Sequence, residues 1–317
     1  MKVLFIDTVH PLLWESLTAE GFDCSEGYTL SREEIIKLIP DFDGIVIRSR
    51  IIIDREVLDA ARKLRFIARA GAGMENIDVK YASSKNILCL NSPEGNRDAV
   101  GEHVIGMLLA LMNNLLIADK QVRDGLWLRE ENRGHELGSK TVGIIGYGNM
   151  GRSFAKKLAG FGCRVIAYDK YISGFSAAGV EEADMDTIFN ETDVLSLHVP
   201  LASDTMKMVN DEYISRFRKS IYIVNSARGG CVETRDLVKH LKSGKVLGAC
   251  LDVLEYEDSS FEKFRIRNSE FEHSDTWQYL IHSEKVILSP HIAGWTMESN
   301  EKLSRVLFDK IMLIPKS

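Results

Sequence analysis

The stretch TVGIIGYGNMG, Thr141 to Gly151, places three glycines where an apolar run gives way to a helical pattern. Gly146, Gly148 and Gly151 follow the spacing G-x-G-x-x-G. In that setting the first glycine permits a tight turn and the second lets the backbone approach a pyrophosphate. The third lets helix and strand pack closely. The helix Arg152–Gly160 then offers unpaired N–H groups and a partial positive charge to an anion, with Asn149 and Met150 contributing backbone N–H groups. The next apolar run, RVIAYD, ends in Asp169, at about the ~20-residue spacing expected of a ribose-binding acid. A carboxylate there accepts from both ribose hydroxyls and repels a 2′-phosphate, which selects NAD over NADP; Lys170 next door weakens that preference.

Outward from this loop, short apolar runs alternate with amphipathic stretches. KVLFI, GIVIRS, RFIARAG and ILCLN read as strands, with HPLLWESLTAEG, SREEIIKLI and DREVLDAARKL as helices between them. Ser31 with Glu34 is a capping-box pattern. After a long helix from about Arg97 to Val122 the alternation resumes. Its strands are TVGIIG, RVIAYD, DVLSLHV, SIYIVNSA, VLGACLDV and KVILSPH, and its helices include RSFAKKLAGFG, DEYISRF and TRDLVKHLKSG. Strict alternation implies right-handed crossovers and parallel sheets covered on both faces. The expected fold is α/β with two doubly wound parallel-sheet domains. A Rossmann nucleotide-binding domain, 98–291, is inserted in a flavodoxin-like substrate domain, 1–97 and 292–317. The crossings fall near Asn96–Val100 and Pro290–Gly294, and the closing helix Met297–Leu313 packs back on the first domain.

Composition narrows the class. The chain has 317 residues, 45% hydrophobic and 27% charged, with a formal net charge of −6. It lacks the clustered basic face of a nucleic-acid binder, so nucleic acid is not an expected partner. The N-terminus has no signal pattern. The most apolar stretch, His103–Ala118, is interrupted by Asn113 and Asn114 and falls short of the ~20 residues that span a bilayer. It reads as a buried helix suited to a subunit contact, and no membrane association is expected. Cys24, Cys89, Cys163, Cys231 and Cys250 are odd in number and scattered, so they read as reduced thiols of a cytoplasmic protein, with no metal site.

Ligands of open parallel sheets bind beyond the carboxyl ends of the strands. The polar residues there are His198, the run Asn225–Gly230, Asp252 with Glu257 five residues on, and His291. With GIIGYGNMG, the ordered segments LHVPLASDTMKMVN, NSARGG, LDVLEYE and SPHIAG resemble the D-isomer-specific 2-hydroxyacid dehydrogenases, and so do RAGAGMENID and the Gly95–His103 segment.

The resemblance covers nearly the whole chain. It implies NAD as cofactor, a small-molecule substrate in a cleft between domains that close during turnover, and a homodimer formed through the nucleotide-binding domain. It also implies roles. Arg228 would bind the substrate carboxylate and polarise the C2 oxygen. His291 would be the acid/base, and Glu257 would fix its tautomer and favour the imidazolium. Asp252 would orient the nicotinamide carboxamide. Val199 and Pro200 would line the adenine side, and Ser226, Ala227 and Gly294 would also contact the cofactor. Gly71, Ala72 and Gly73 would offer N–H groups to the substrate carboxylate. His135, His240 and His273 read as surface residues, His103 as capping or packing in the long helix, and His198 as a structural neighbour of the cofactor.

Arg48 and Ser49, with Arg50, follow the strand GIVI. The run VIRSR resembles phosphoglycerate dehydrogenases, in which arginines at this loop face a phosphate. A guanidinium pair suits a phosphate dianion; two surface arginines are the plainer alternative. The substrate so implied is 3-phosphoglycerate, oxidised to 3-phosphohydroxypyruvate at the entry to serine synthesis. Hydroxypyruvate, glyoxylate or another 2-keto acid is the alternative within the class, and an NAD-sensing corepressor the alternative outside it. Formate dehydrogenase chemistry needs no carboxylate like Glu257. The sequence departs from the family in having Asp258 where proline is common, and in the length of Asp258–Glu284. No C-terminal regulatory domain, and no serine feedback through one, is expected.

Overall fold

A computed structural model describes residues 1–176, 179–257 and 274–315. These divide into two compact units, the first comprising 1–97 and 295–315, the second 98–257 and 274–294. The 292–294 segment, expected with the outer segments, belongs to the second unit because the Asp252 carboxylate takes the N–H groups of Ile292 and Ala293, both at 2.9 Å.

The first unit holds β1 (Lys2–Phe5), α1 (Pro11–Ala19), β2 (Asp23–Glu26), α2 (Arg32–Leu38), β3 (Gly44–Ile47), α3 (Arg55–Ala60), β4 (Phe66–Arg69), α4 (Val79–Ser84) and β5 (Leu88–Asn91). The strands are parallel in the order β2-β1-β3-β4-β5, the flavodoxin-like arrangement. Every residue of β3 is buried, as a central strand covered on both faces requires. Ser31 and Glu34 form the expected capping box at the start of α2. The short polar β2 and α4 carry too little apolar periodicity to be read from the sequence.

Helix α5 (Pro93–Met112) is followed by α6 (Leu115–Arg123), bent from it by 61°. One continuous helix was expected. The break has a local cause: Asn114 adopts the left-handed conformation at φ 52°, and the Met112 carbonyl accepts from His135 N–H at 2.9 Å rather than from a following turn. No single helix among the described residues is long and apolar enough to cross a membrane; α5 and α6 pass that test only as a bent pair.

The second unit continues with β6 (Thr141–Ile145), α7 (Asn149–Leu158), β7 (Arg164–Tyr168), β8 (Glu181–Glu182), α8 (Met185–Glu191), β9 (Val194–Leu197), α9 (Asp211–Ser215), β10 (Ile221–Asn225), α10 (Thr234–Ser243), β11 (Val246–Leu251), α11 (Asp275–His282) and β12 (Val286–Leu288). Its seven parallel strands run in the order β12-β11-β10-β9-β6-β7-β8, a Rossmann order with one further strand and a switch point between β6 and β9. One apolar layer packs around α5 and α7, and a second around α8, α9 and α10. Cys231 and Cys250 are buried, and burial pushes both thiols up. His240, expected at the surface, is 7% exposed and bonds Asp211 Oδ1 at 2.7 Å. His135 is exposed. His273, and most of the long segment that begins at Asp258, lie outside the described residues.

Helix α12 (Met297–Met312) returns to the first unit, burying Leu303, Leu307 and Ile311. A Cβ on Gly95 would lie 2.6 Å from Leu303 N and 2.7 Å from Leu303 Cα, so the two backbones touch. No side-chain rotation relieves that clash. Gly95→Ala is therefore expected to lower stability by about 1–3 kcal/mol, read as a lowered midpoint in urea.

Candidate active site

One row of residues crosses the second sheet at its carboxyl edge. Tyr168, Ile145, Leu197, Asn225, Leu251 and Leu288 are register partners in turn. The next residue of each strand leaves the sheet: Asp169, Gly146, His198, Ser226, Asp252 and Ser289. Each candidate loop of this unit thus starts at one level, on one edge.

The glycine loop has the geometry that its spacing implies. Gly146 sits at φ +93°, with His198 O 2.6 Å from where a Cβ would be. A Cβ on Gly151 would lie 2.1 Å from Gly146 O, which fixes α7 against the turn. At Gly148, the N-cap of α7, a Cβ would meet nothing within 4 Å, and no side chain caps the helix. An open face over uncapped N–H groups is what a pyrophosphate needs. Asp169 is held by three backbone donors, Tyr147 N at 2.7 Å, Tyr171 N at 2.8 Å and Ile172 N at 3.0 Å. Lys170 is drawn away to Asp204 at 2.5 Å. Val199 Cγ1 borders Gly146 across the switch point, and the Pro200 carbonyl accepts from Thr205 Oγ1 at 2.6 Å. Ser226 Oγ is buried with no bonding partner among the described residues. Open cradle, fixed acid and unsatisfied hydroxyl all fit a dinucleotide.

Ala227 already has both backbone groups engaged. Its N–H goes to Asn225 Oδ1 at 3.1 Å and its carbonyl accepts from Arg228 Nη1 at 2.6 Å. Asn225, 1% exposed, also donates to Arg228 O at 3.0 Å, so one buried amide brackets the arginine loop. Where a Cβ on Gly229 would be, Leu254 O lies 1.9 Å away; the Arg228 loop therefore presses directly on the loop that carries Glu257. Glu257 Oε2 meets His291 Nδ1 at 2.9 Å, with side-chain exposures of 16% and 24%. A carboxylate only accepts, so Nδ1 carries a proton.

His291 has φ 55°, left-handed for a residue that is not glycine. Asp252 holds it there. His291 N donates to Asp252 O at 2.7 Å, and the carboxylate receives Ser289 Oγ at 2.6 Å besides the two amides that follow His291. Asp252, expected to orient a nicotinamide, is 1% exposed and is the anchor of the His291 turn. Gly294 closes the unit just beyond it. His103 Nε2 reaches Ser289 Oγ at 3.0 Å, a link that the sequence gave no means of finding. Among the described residues no cluster of three His, Cys, Asp or Glu side chains is placed to hold a metal.

In the first unit the arginine pair is not the expected one. Arg50 turns inward: its guanidinium donates to the carbonyls of Ile6, Gly27 and Leu30 and to buried Asp7. Arg48 lies over the Trp295 ring, 4.3 Å from its centroid. Its carbonyl accepts from Arg69 Nε at 3.3 Å, and the Arg69 guanidinium covers Gly71. Arg69, not Arg50, is therefore the arginine whose guanidinium reaches the Arg48 backbone. Ser49 is 8% exposed. Gly71 N is taken by Ser92 Oγ at 3.3 Å. The N–H groups of Ala72 and Gly73 meet no acceptor among the described residues.

A Rossmann sheet with an open glycine cradle, a fixed acid at the end of the next strand and a Glu–His pair defines a dinucleotide-dependent oxidoreductase. A family model for "D-isomer specific 2-hydroxyacid dehydrogenase, NAD binding domain" matches residues 105–293. Hydroxypyruvate reductase of Thermotoga maritima is 36% identical over 282 residues, 89% of this chain and 88% of that one. D-3-phosphoglycerate dehydrogenase of Archaeoglobus fulgidus is 33% identical over 318 residues, all of this chain but 58% of that relative's length. The D-lactate dehydrogenase of Aquifex aeolicus, solved with NAD and lactic acid, superposes with a TM-score of 0.82 at 26% identity, covering 98% of this chain and 94% of that one. The chain belongs to the D-isomer-specific 2-hydroxyacid dehydrogenases, and NAD is its cofactor.

His198 gives a pH signature. Its Nδ1 is buried without a bonding partner, Nε2 meets Ser196 Oγ at 2.9 Å, and burial pushes the imidazole down to about 4 from 6.5. The unfolded chain therefore binds the proton first as pH falls. The stability that neutral His198 contributes is complete above about pH 6.5 and is lost on the way down through about pH 4. The loss amounts to about 3 kcal/mol. His198→Phe is expected to show a correspondingly shallower fall in stability over that window, measured by urea unfolding at a series of pH values.

Proposed function

We propose that this chain oxidises 3-phosphoglycerate to 3-phosphohydroxypyruvate, and runs the reverse reduction, at the entry to serine synthesis. Bound NAD would supply the hydride acceptor, and its reduced form the donor. Arg228 binds the substrate carboxylate and polarises the C2 oxygen through its planar fork. His291 Nε2 takes the C2 hydroxyl proton as hydride leaves C2, and returns it in the reverse direction. Glu257 keeps Nδ1 protonated so that Nε2 is the exchanging atom. Asp169 favours NAD over a 2′-phosphorylated cofactor. The unit built from 1–97 and 295–315 serves the substrate, with Ala72 and Gly73 as donors to its carboxylate.

The observation that carries the phosphate reading is the Arg48–Arg69 pair. The Arg69 guanidinium bonds the Arg48 backbone carbonyl and covers Gly71, next to the unclaimed amides of Ala72 and Gly73, while the Arg48 guanidinium lies over Trp295. That is one cationic site more than a lactate or glyoxylate needs, and it matches a dianion at C3. The relative named a hydroxypyruvate reductase supports a second reading, in which C3 carries only a hydroxyl.

Steady-state comparison of phosphohydroxypyruvate with hydroxypyruvate tests this. Arg48→Ala is expected to lower kcat/KM for the phosphorylated substrate roughly 10–100-fold and to leave hydroxypyruvate nearly unaffected. An equal loss on both removes the phosphate argument. Arg50→Ala is expected instead to lower stability, since it removes the cationic donor from buried Asp7 and leaves that carboxylate only backbone N–H groups.

The chain pairs as a homodimer through the second unit. Leu115, Leu116, Val122 and Trp127 are 55%, 59%, 52% and 77% exposed within one short stretch of α6 and its exit, more apolar surface than an isolated helix face leaves to water. Light scattering after gel filtration is expected to give twice the chain mass, and Leu116→Ser with Trp127→Ser to give the monomer mass.

A further inference from the structure

His103, on α5, has no place in the chemistry described so far, yet its position is specific. Nε2 lies 3.0 Å from Ser289 Oγ and 3.5 Å from Asp252 Oδ1. Ser289 Oγ lies 2.6 Å from the same carboxylate oxygen. A serine hydroxyl has one proton, and a carboxylate can only accept, so that proton belongs to Asp252. Ser289 then has only lone pairs to offer His103, and Nε2 must be the donor. The chain is directed: His103 Nε2–H to Ser289 O–H to Asp252 Oδ1.

Asp252 spends what it receives on the catalytic turn. Its carbonyl accepts His291 N–H at 2.7 Å, and its carboxylate accepts Ile292 N–H and Ala293 N–H. Those three bonds fix the residues on both sides of a φ of 55° at His291. Such a conformation costs of order 1–3 kcal/mol and persists only where its surroundings over-determine it. The other group within reach of the Ser289 hydroxyl is Met107 Sδ, a weak acceptor at 3.6 Å. Without the His103 donor the hydroxyl keeps its proton on Asp252 but loses the N–H that orients and polarises it, so the bond that reaches the carboxylate is weaker and less fixed.

We propose that His103 is a positioning residue for the reaction. Acting through Ser289 and Asp252, it holds the His291 turn in its left-handed conformation and so keeps the imidazole in register with the substrate oxygen. The proposal rests on the reading of His291 as the acid/base. Because His103 feeds the turn from a neighbouring helix, its loss moves kcat, where proton transfer is felt, and spares cofactor affinity.

The test is reduction of hydroxypyruvate and phosphohydroxypyruvate by NADH with His103→Leu, His103→Gln, Ser289→Ala, the double variant His103→Leu/Ser289→Ala and, in parallel, His291→Asn. His103→Leu and Ser289→Ala are each expected to lower kcat about tenfold or more, with KM for NADH within about twofold. The double variant should lose no more than the worse single one, because one chain is cut twice. His103→Gln, which keeps an N–H donor on a side chain of similar reach, should recover most of the activity. A wild-type kcat per folded molecule in His103→Leu, or losses that multiply in the double variant, overturns the proposal. If His103→Leu does not fold, a wild-type kcat in Ser289→Ala overturns it alone. His291→Asn retaining kcat within about threefold sinks the acid/base reading itself; its collapse beside an unaffected His103→Leu sinks only the positioning role.

Discussion

A carboxylate that is 1% exposed has to be surrounded by donors, and Asp252 is. Its two oxygens collect a serine hydroxyl and two backbone amides, while its own N–H and carbonyl tie to Asn225 and His291. Leaving such a group unpaired would cost several kcal/mol, so the groups around it are held as firmly as the charge is. That constraint joins the ends of β10, β11 and β12 into one body. Asn225 in turn brackets Arg228, and Gly229 seats that loop on the one carrying Glu257. The arginine, the histidine and its carboxylate partner are thus positioned by a buried acid whose work is structural.

The parallel sheet explains why so few residues suffice. Six strands end in one register row, so a single step beyond it delivers the glycine loop, Asp169 and the start of the His291 turn to the same edge. A one-residue slip in any strand would turn its following side chain to the opposite face. Apolar runs buried on both faces guard against that slip: all of β9 and β10 are closed to solvent. The tight fit of Gly151 under Gly146 then fixes α7, whose uncapped amides face open space at Gly148.

How much of this the sequence discloses depends on the range of the interactions. The glycine loop, the strand-ending acid and the alternation of the two series are local patterns, and they appear where expected. The break at Asn114 depends on a carbonyl captured by a residue two turns and a loop away, so periodicity ran through it. Arg48 and Arg50 look alike in VIRSR. Only Asp7 and three distant carbonyls show that Arg50 faces inward, leaving Arg69, from the next strand, as the partner of Arg48. His240 sits in a helix that looks exposed until Asp211 is seen beside it. Trp295 belongs to no motif, and Ser289 sits in SPHIAG with nothing local to mark its bond to His103; each matters through a contact far from it in the chain.

Three histidines stand at the carboxyl edge of the second sheet, and their surroundings separate them. The His198 ring has a nitrogen sealed from solvent and gains protons only near pH 4, so it stays neutral and cannot supply one near neutrality. His103 has Nε2 committed to Ser289, because the serine proton is already spoken for by Asp252. Of the three, His291 is the one whose ring is bonded directly to a carboxylate, through Nδ1. It also sits in the left-handed region, where glycine would be unstrained but would carry no imidazole. A strained backbone retained under an imidazole, where glycine would cost less, is what the proposed acid/base role would select, because there the position of the nitrogen matters more than the stability of the turn.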